Sequence, residues 1–503
     1  MHNPDRPRHI IIGAGPAGLT AAYALARQRL APLVLEADNQ VGGIARTAEY
    51  RGFRFDIGGH RFFTKVRAVR ELWRSMLGPD MLRRPRLSRI YYQGKFFDYP
   101  LKPMNALSGL GVLNSARVLL SYVAARIRPI HPETSFEDWV SNRFGRRLYR
   151  IFFKTYTEKV WGIPCHRIGA QWAAQRIKNL SLLTAITSML FGKKGGRGEI
   201  TTLIDEFEYP RLGPGMMWEA FARDVEQHGG EVRLSAPVRR LQHDRRRIMA
   251  VEYESGGSSQ TVAAESVISS MPLRTLIQQL EPPPPAAVLS AADTLHYRDF
   301  LTVALIIDAP TLFPDNWIYV HDPRVRLGRI QNFKNWSPEM VPDQSKTCLG
   351  LEYFCFEGDD LWAMPDADLV TLGAREIEAI GLLKGGRVLD GMVVRMPKAY
   401  PVYDEGYESA LAVVREYLDG FANLQVAGRN GMHKYNNQDH SMVTALLAVQ
   451  NTLGGSHDVW AVNADDEYHE EGGVALEDVA SQLLLLESTQ PPVPRALHDQ
   501  RPS

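Results

Sequence analysis

Apolar positions along the chain follow two rhythms. Near the start, an unbroken run at Ile10-Ile11-Ile12 is followed by an Ala-rich stretch of helical spacing from Leu19 to Arg27, then by a second run from Pro32 to Leu35. Runs with no polar alternation are typical of parallel strands covered on both faces. The rhythm returns after about residue 205: a helix over Met217 to His228 stopped by Gly229-Gly230, strands at Val232 to Leu234, Ser266 to Met271 and Leu424 to Ala427, a turn at Gly428 to Gly431, and a helix over Ser441 to Leu453. Two stretches interrupt it. Leu107 to Ala125, Phe136 to Thr155 and Trp172 to Leu190 have helical spacing, and Leu301 to Ile307, Trp317 to Val320 and Thr347 to Phe354 read as strands of an antiparallel sheet. A Pro run at 282–285 marks a boundary, Gly192 to Gly198 reads as a flexible loop that could lie over an anionic ligand, and the tail from Ser488 is Pro-rich.

The first apolar run ends in Gly13-Ala14-Gly15-Pro16-Ala17-Gly18, and the second ends in Glu36. In that order, Gly13 permits a tight turn and Gly15 lets the backbone approach a pyrophosphate. Gly18 lets the following helix pack on the strand, and the helix N-terminus faces the phosphates. Glu36 lies where a carboxylate takes a ribose hydroxyl pair. An ordinary Gly-rich turn would leave that acid unexplained. Gly42-Gly43, Arg46 and Gly58-Gly59-His60 follow closely. Two glycine pairs so near the fingerprint indicate backbone pressed against a flat ligand twice.

Composition narrows the class. The 503 residues exceed one domain. With 58 basic and 57 acidic residues the net charge is +1, which gives no reason to expect a nucleic-acid partner. Three cysteines without a C-x-x-C pair are no disulfide framework, and no metal site is expected. No run reaches the ~18 apolar residues of a membrane span, and no signal peptide is expected, which together point to a cytoplasmic enzyme. Val112 to Ile130, with Arg117, Arg126 and Arg128, is amphipathic; it suits a packed helix and leaves peripheral membrane contact open.

The acid, the paired glycines and Asp56-Ile57-Gly58-Gly59-His60 resemble the large FAD family that includes amine oxidases, protoporphyrinogen oxidase and UDP-galactopyranose mutase. Further motifs resemble the mutases, above all the eukaryotic type: Tyr99-Pro100-Leu101-Lys102, Lys159 to Pro164 with Trp161, Gln175-Arg176, Trp317-Ile318-Tyr319, Arg329 before Asn335-Trp336-Ser337-Pro338, Tyr400-Pro401, Gly428-Arg429, and Lys434-Tyr435 with Asn437 to Ser441. The resemblance covers about residues 8–455. It implies an α/β fold: a Rossmann-type (GR2-like) FAD-binding domain in three parts (1–103, 205–280, 396–487), an inserted helical substrate or lid domain (104–204), a mixed or antiparallel-sheet substrate domain (281–395) and a disordered tail (488–503). Gly13, Gly15, Gly18, Glu36, Gly42, Gly43, Arg46, Gly58, Gly59, Val238, Gly428, Arg429, Asp439, His440 and Ser441 would hold FAD. Asp439-His440 also reads as a helix cap with an ion-pair partner.

By the same resemblance, reduced flavin N5 attacks the anomeric carbon of a nucleotide sugar, and a pyranose becomes a furanose without net redox change, as in cell-surface polysaccharide biosynthesis. NAD(P)H is then the expected reductant. A leaving diphosphate is best neutralised by fixed guanidinium groups, and Arg176 and Arg329 occupy those positions. Tyr319, Tyr400, Tyr435 and Asn437 would hold phosphate oxygens, and the His60 carbonyl would accept the N5 proton. Tyr99, Lys102, Thr157, Trp161 and Trp336 complete the substrate set. Here the chain departs from the family. Lys102 stands for a Gln, Leu101 for a Phe, Thr157 for an Asn, Lys65 for a His and Trp336 for a Tyr. Lys only donates where an amide both donates and accepts, so the carrier need not be UDP and another phosphate-linked sugar fits. The alternative is a true oxidoreductase of the amine oxidase or protoporphyrinogen oxidase type.

Overall fold

A computed structural model of the protein describes residues 7–64, 66–99, 101, 103–170 and 206–462. Lys65, Lys102, Arg176, the stretch Trp172 to Leu190, the loop 192–198 and the tail from 488 lie outside them. Five parallel strands form the first layer, in the order Glu231–Arg233, Leu33–Leu35, Arg8–Ile12, the end of Ser258–Ser269, and Leu424–Val426. An antiparallel extension of Ile248–Ser255 and Val238–His243 continues from the long strand Ser258–Ser269. Helices Pro16–Arg27, Gly215–Gln227 and Gln438–Thr452 cover this sheet. Its inner faces are Ile, Leu, Val and Ala from both layers, and they form the largest apolar core.

The fingerprint acts as the spacing predicts. The Gly13 amide donates to the Leu35 carbonyl at 2.8 Å, and Gly13 turns with φ +97°. A Cβ on Gly18 would sit 1.8 Å from the Gly13 carbonyl oxygen, so only glycine lets this helix start against this strand.

The second sheet is mixed, in the order Arg387–Pro401, Tyr297–Asp308, Thr347–Cys355, Arg329–Asn332, Trp317–Val320, Ser88–Tyr92 and Lys95–Asp98. All neighbours are antiparallel except Trp317–Val320 with Ser88–Tyr92. Its last hairpin, residues 88–98, therefore comes from the stretch expected in the first part of the nucleotide domain. The strand Arg387–Pro401 likewise runs across the expected boundary at 395. The helix Asp366–Ala379 packs on one face over a separate core.

The helical region begins as two helices, Pro103–Leu110 and Val112–Ile127, where spacing suggested one. The expected helix over 136–155 is also divided. Phe136–Phe144, capped by Ser135 with Asp138, stops at Gly145, where φ is +82° and a Cβ would lie 2.7 Å from the Tyr122 nitrogen. A wide turn, Tyr149–Lys154, then leads into Thr155–Trp161. Two cations fasten that last helix to the second sheet. Lys159 Nζ donates to the carbonyls of Val320, Asp322 and Leu327 at 2.7–3.2 Å. Arg298 donates to the carbonyls of Val160, Lys159 and Phe354. Among the described residues, no helix is long and apolar enough to cross a membrane.

Gly18→Ala tests the close approach. The clash is with backbone, so the cost should reach or exceed the about 1–3 kcal/mol of an overpacked core, read as a lower thermal midpoint. Co-purified flavin, measured by visible absorbance relative to protein, should fall with it. Wild-type flavin content and midpoint would contradict the packing.

Candidate active site

A cavity of about 1180 Å³ runs from the fingerprint, between the two sheets, to the helical region. It exceeds the ~300–1,000 Å³ of typical single-ligand pockets, enough for a cofactor and a second molecule. At one end lie Gly13, Gly15, Glu36, Gly43, Arg46 and Val238. Glu36 Oε2 accepts the Ala14 amide at 2.6 Å, and Oε1 accepts that of Asp38 at 2.9 Å. Burial pushes its carboxyl upward, against those two hydrogen bonds. Arg46 pairs with Asp38. A Cβ on Gly15 would lie 3.8 Å from the Gly43 Cα, so the two glycine loops meet over the helix N-terminus. Gly42 and Gly18 do not line the cavity. Gly42 donates to the Ala14 carbonyl and holds the second loop on the first. A bare backbone cradle, a carboxylate at the strand end and a helix N-terminus fit a dinucleotide such as FAD.

Farther in, Gly58, Gly59, His60, Gly428, Arg429, Asn437, Asp439 and Ser441 surround the middle of the cavity. Asn437 is the N-cap of Gln438–Thr452, so that helix starts at the cavity wall. His440 does not line the cavity. Its Nδ1 accepts the Asn437 amide at 3.4 Å, which makes it part of the helix cap. Arg429 donates from Nε to the Asn436 carbonyl and from Nη1 to the Ala399 carbonyl. Its guanidinium lies 5.3 and 4.8 Å from the rings of Tyr400 and Tyr435, which stack at 5.5 Å.

Arg329 faces Glu352 across the antiparallel pair of strands, and its Nε is bound by the Glu352 carboxylate. Gln331, on the same face, donates to the other Glu352 oxygen at 2.7 Å. Burial works against the Arg329 charge, but Glu352, and after it Tyr156, Tyr400 and Tyr319, outweigh it and hold the group well above its ordinary value. With Nε taken, Nη1 and Nη2 make no hydrogen bond among the described residues. A guanidinium aligned through Nε presents a two-nitrogen fork to an anion. Burial, then Tyr435, push Tyr400 up to about 12, so it remains a phenol that can donate. His60 is lowered to about 3, first by burial and then by Arg429 and Arg329. Its imidazole stays neutral, and among the described residues Nδ1 has no hydrogen-bond partner.

The far end is aromatic. Tyr99 packs on Tyr319 at 4.5 Å, and Tyr156 stacks on His321 at 4.7 Å with planes 5° apart. Thr157 and Trp161 line the same wall. Trp336 also borders the cavity but is spent on the core: its Nε1 donates to the Asn316 carbonyl at 2.9 Å, and it packs on Trp317, Phe207 and Tyr209. Sequence reading missed Glu352, Gln331, Tyr156 and His321. Glu352 was detectable as the lone charge in the run Thr347–Cys355, and His321 as the second residue after Tyr319. The Tyr156–His321 stack comes from tertiary packing and left no sequence signal.

The sequence profile of the family described as "Flavin containing amine oxidoreductase" matches residues 16–435. A zebrafish (Danio rerio) protein named inactive all-trans-retinol 13,14-reductase is 51% identical over 55 residues, 11% of this chain and 9% of that one. An L-amino-acid oxidase of Sistrurus catenatus edwardsii is 25% identical over 322 residues, 59% of this chain and 56% of that one. The chain thus matches less than two thirds of each of these relatives. Among solved structures, a reduced UDP-galactopyranose mutase superposes with a TM-score of 0.79 at 22% identity, covering 92% of this chain and 98% of that one. That likeness is one of fold.

The neutral histidines fix an acid response. His60 and His321 are lowered to about 3 and His433 to about 4, each mainly by burial, from an ordinary 6.5. The unfolded chain therefore binds protons first as pH falls. The stability these residues contribute is full above about pH 6.5 and is lost as pH falls toward 3–4. Urea unfolding between pH 7.5 and 4.5 should show falling stability, with a shallower slope in His321→Gln. Identical slopes would refute the buried neutral state of His321.

Proposed function

Because the chain belongs to the flavin containing amine oxidoreductase family, whose members use FAD, we propose that it is a flavin-dependent mutase interconverting the pyranose and furanose forms of a phosphate-linked sugar. The observation that carries the reading is the aligned guanidinium of Arg329, its Nη edge left for an anion and its Nε fixed by buried Glu352. Superposition on a protein named UDP-galactopyranose mutase supports it. So do Tyr319, Tyr400 and Tyr435, which border the same space.

The cavity residues fit FAD: Gly13, Gly15, Glu36, Gly43, Arg46 and Val238 would hold its nucleotide end, and Gly58, Gly59, Gly428, Arg429, Asp439 and Ser441 would hold its ring. When bound and reduced, FAD supplies a nucleophilic nitrogen. Arg329 neutralises the phosphate charge that develops as the sugar–phosphate bond breaks. Tyr400, kept protonated, donates to phosphate oxygens without adding charge, and Tyr435 stacked on it offers a second hydroxyl. The helix beginning at Asn437 would offer its N-terminal dipole to negative charge on a bound ring. The backbone carbonyl at His60 would accept a hydrogen bond from the bound ring, while the neutral imidazole avoids a third cation beside Arg329 and Arg429. Thr157, Tyr99 and Trp161 receive the carrier end; Arg176 and Lys102, expected beside them, lie outside the described residues. NAD(P)H is the proposed source of electrons.

Two measurements test this. With flavin reduced by dithionite under argon, a panel of pyranose phosphates, UDP-galactopyranose included, should yield a covalent flavin–sugar product after cyanoborohydride, detected by mass spectrometry. No such product, together with bleaching of oxidised flavin by an amine or amino acid, would favour the second reading: a hydride-removing oxidase, as the L-amino-acid oxidase match suggests. Arg329→Ala should retain its flavin spectrum but lose about 10²–10³-fold in turnover. Undiminished turnover would remove Arg329 from the site.

A further inference from the structure

On the reading of this site as one for a phosphate-linked sugar, we propose that the carrier is a lipid phosphate and that the outer face of the helix Val112–Ile127 seats on the anionic bilayer that holds it. The helix is amphipathic in the wrong sense for a helix that serves only the core. Its inner face buries Val118 and Tyr122 but spends Asn114 and Ser121 on Arg147. Its outer face exposes Leu113 (76%), Leu120 (70%), Val123 (51%) and Ile127 (72%), with Val112 (87%) at its start. Leu113, Ala116, Leu120, Val123 and Ile127 follow a three-four spacing, so they form one stripe along the helix. An exposed apolar stripe of this length marks an interaction surface.

Charge selects the occupant. From Tyr99 to Pro132 the chain has no acidic residue, and the cations Arg117, Arg126 and Arg128 flank the stripe. A second copy of the same helix would bring only more positive charge. An anionic lipid surface offers both an apolar boundary for the stripe and phosphates for the arginines. The inner face leads to the cavity. Val118 belongs to the apolar cluster that also contains Phe136, Phe152 and Trp161, and these three line the cavity with Ile90, Leu101 and Phe153. A hydrocarbon chain entering at the membrane would lie against this wall with its phosphate toward Arg329.

The test uses the full-length holoenzyme and sedimentation with vesicles of phosphatidylcholine alone or mixed with phosphatidylglycerol. Wild type should bind the mixed vesicles roughly tenfold or more tightly than the neutral ones. High salt should weaken that binding. The double variant Leu120→Glu, Ile127→Glu should lose it while keeping the wild-type flavin spectrum and thermal midpoint. Absence of binding, or equal binding by the variant, overturns the membrane face. So does a wild-type dimer that the variant dissociates without any effect on vesicles. Because this readout needs no turnover, failure of the mutase reading leaves it intact. The carrier is tested separately by offering the reduced enzyme a pyranose on a long-chain isoprenoid phosphate in vesicles beside soluble nucleotide sugars. Conversion of the lipid-linked sugar is expected. Conversion of nucleotide sugars alone keeps the mutase and refutes the lipid carrier.

Discussion

A carboxylate taken fully out of water must be matched or it destabilises the fold. Glu352 is such a group, fully buried in the middle of the second sheet, and both of its oxygens are used. Arg329 comes from the facing position of the neighbouring strand and Gln331 from two residues farther on. Gln331 in turn packs beneath Gly59, where a Cβ would meet its Nε2 at 2.9 Å. A single buried charge thereby sets the register of two strands, aims a guanidinium into the cavity and supports the glycine pair from the nucleotide side. If the carboxylate were absent, Arg329 would lack the contact that aligns it.

The cavity's electrostatics follow from that placement. Two guanidinium groups, Arg329 and Arg429, stand near His60 and, with burial, keep its imidazole neutral. Tyr156 and Tyr400 beside them keep their protons. The middle of the site thus holds fixed cations and neutral donors. This arrangement suits stabilising an anion more than abstracting a proton. Asp56, at the foot of the Gly58-Gly59-His60 turn, is buried with Tyr209 donating to it at 2.7 Å. Burial holds its carboxyl well above the ordinary range, against the hydrogen bond from Tyr209.

The nucleotide half was legible because its chemistry is local. A turn glycine, an approach glycine and a packing glycine fall within six residues, and the strand and helix beside them are continuous apolar segments. The residues lining the rest of the cavity were legible only as motifs, since Arg329, Tyr400 and Tyr435 come from separate strands and loops and converge only in the folded chain. What stayed hidden has physical causes. Gly111 and Gly145 divide helices that periodicity joins, because a glycine break leaves apolar spacing intact. The hairpin at 88–98 joins the distant sheet through a parallel pairing with residues 317–320, and nothing local in sequence encodes that partner. Trp336, expected among the substrate aromatics from the Asn335-Trp336-Ser337-Pro338 motif, does border the cavity. Its indole N–H is instead used up by a core carbonyl.

The short helix Thr155–Trp161 carries a mechanical consequence. Its Lys159 ammonium fills a socket of three carbonyls at the end of the second sheet, and Arg298 reaches back from that sheet to grip the carbonyls of residues 159 and 160. Swinging the helix outward would strand two charges and at least five acceptors at once. Thr157 and Trp161 are therefore carried on a wall riveted from both sides. Any movement of this wall would have to break those bonds first.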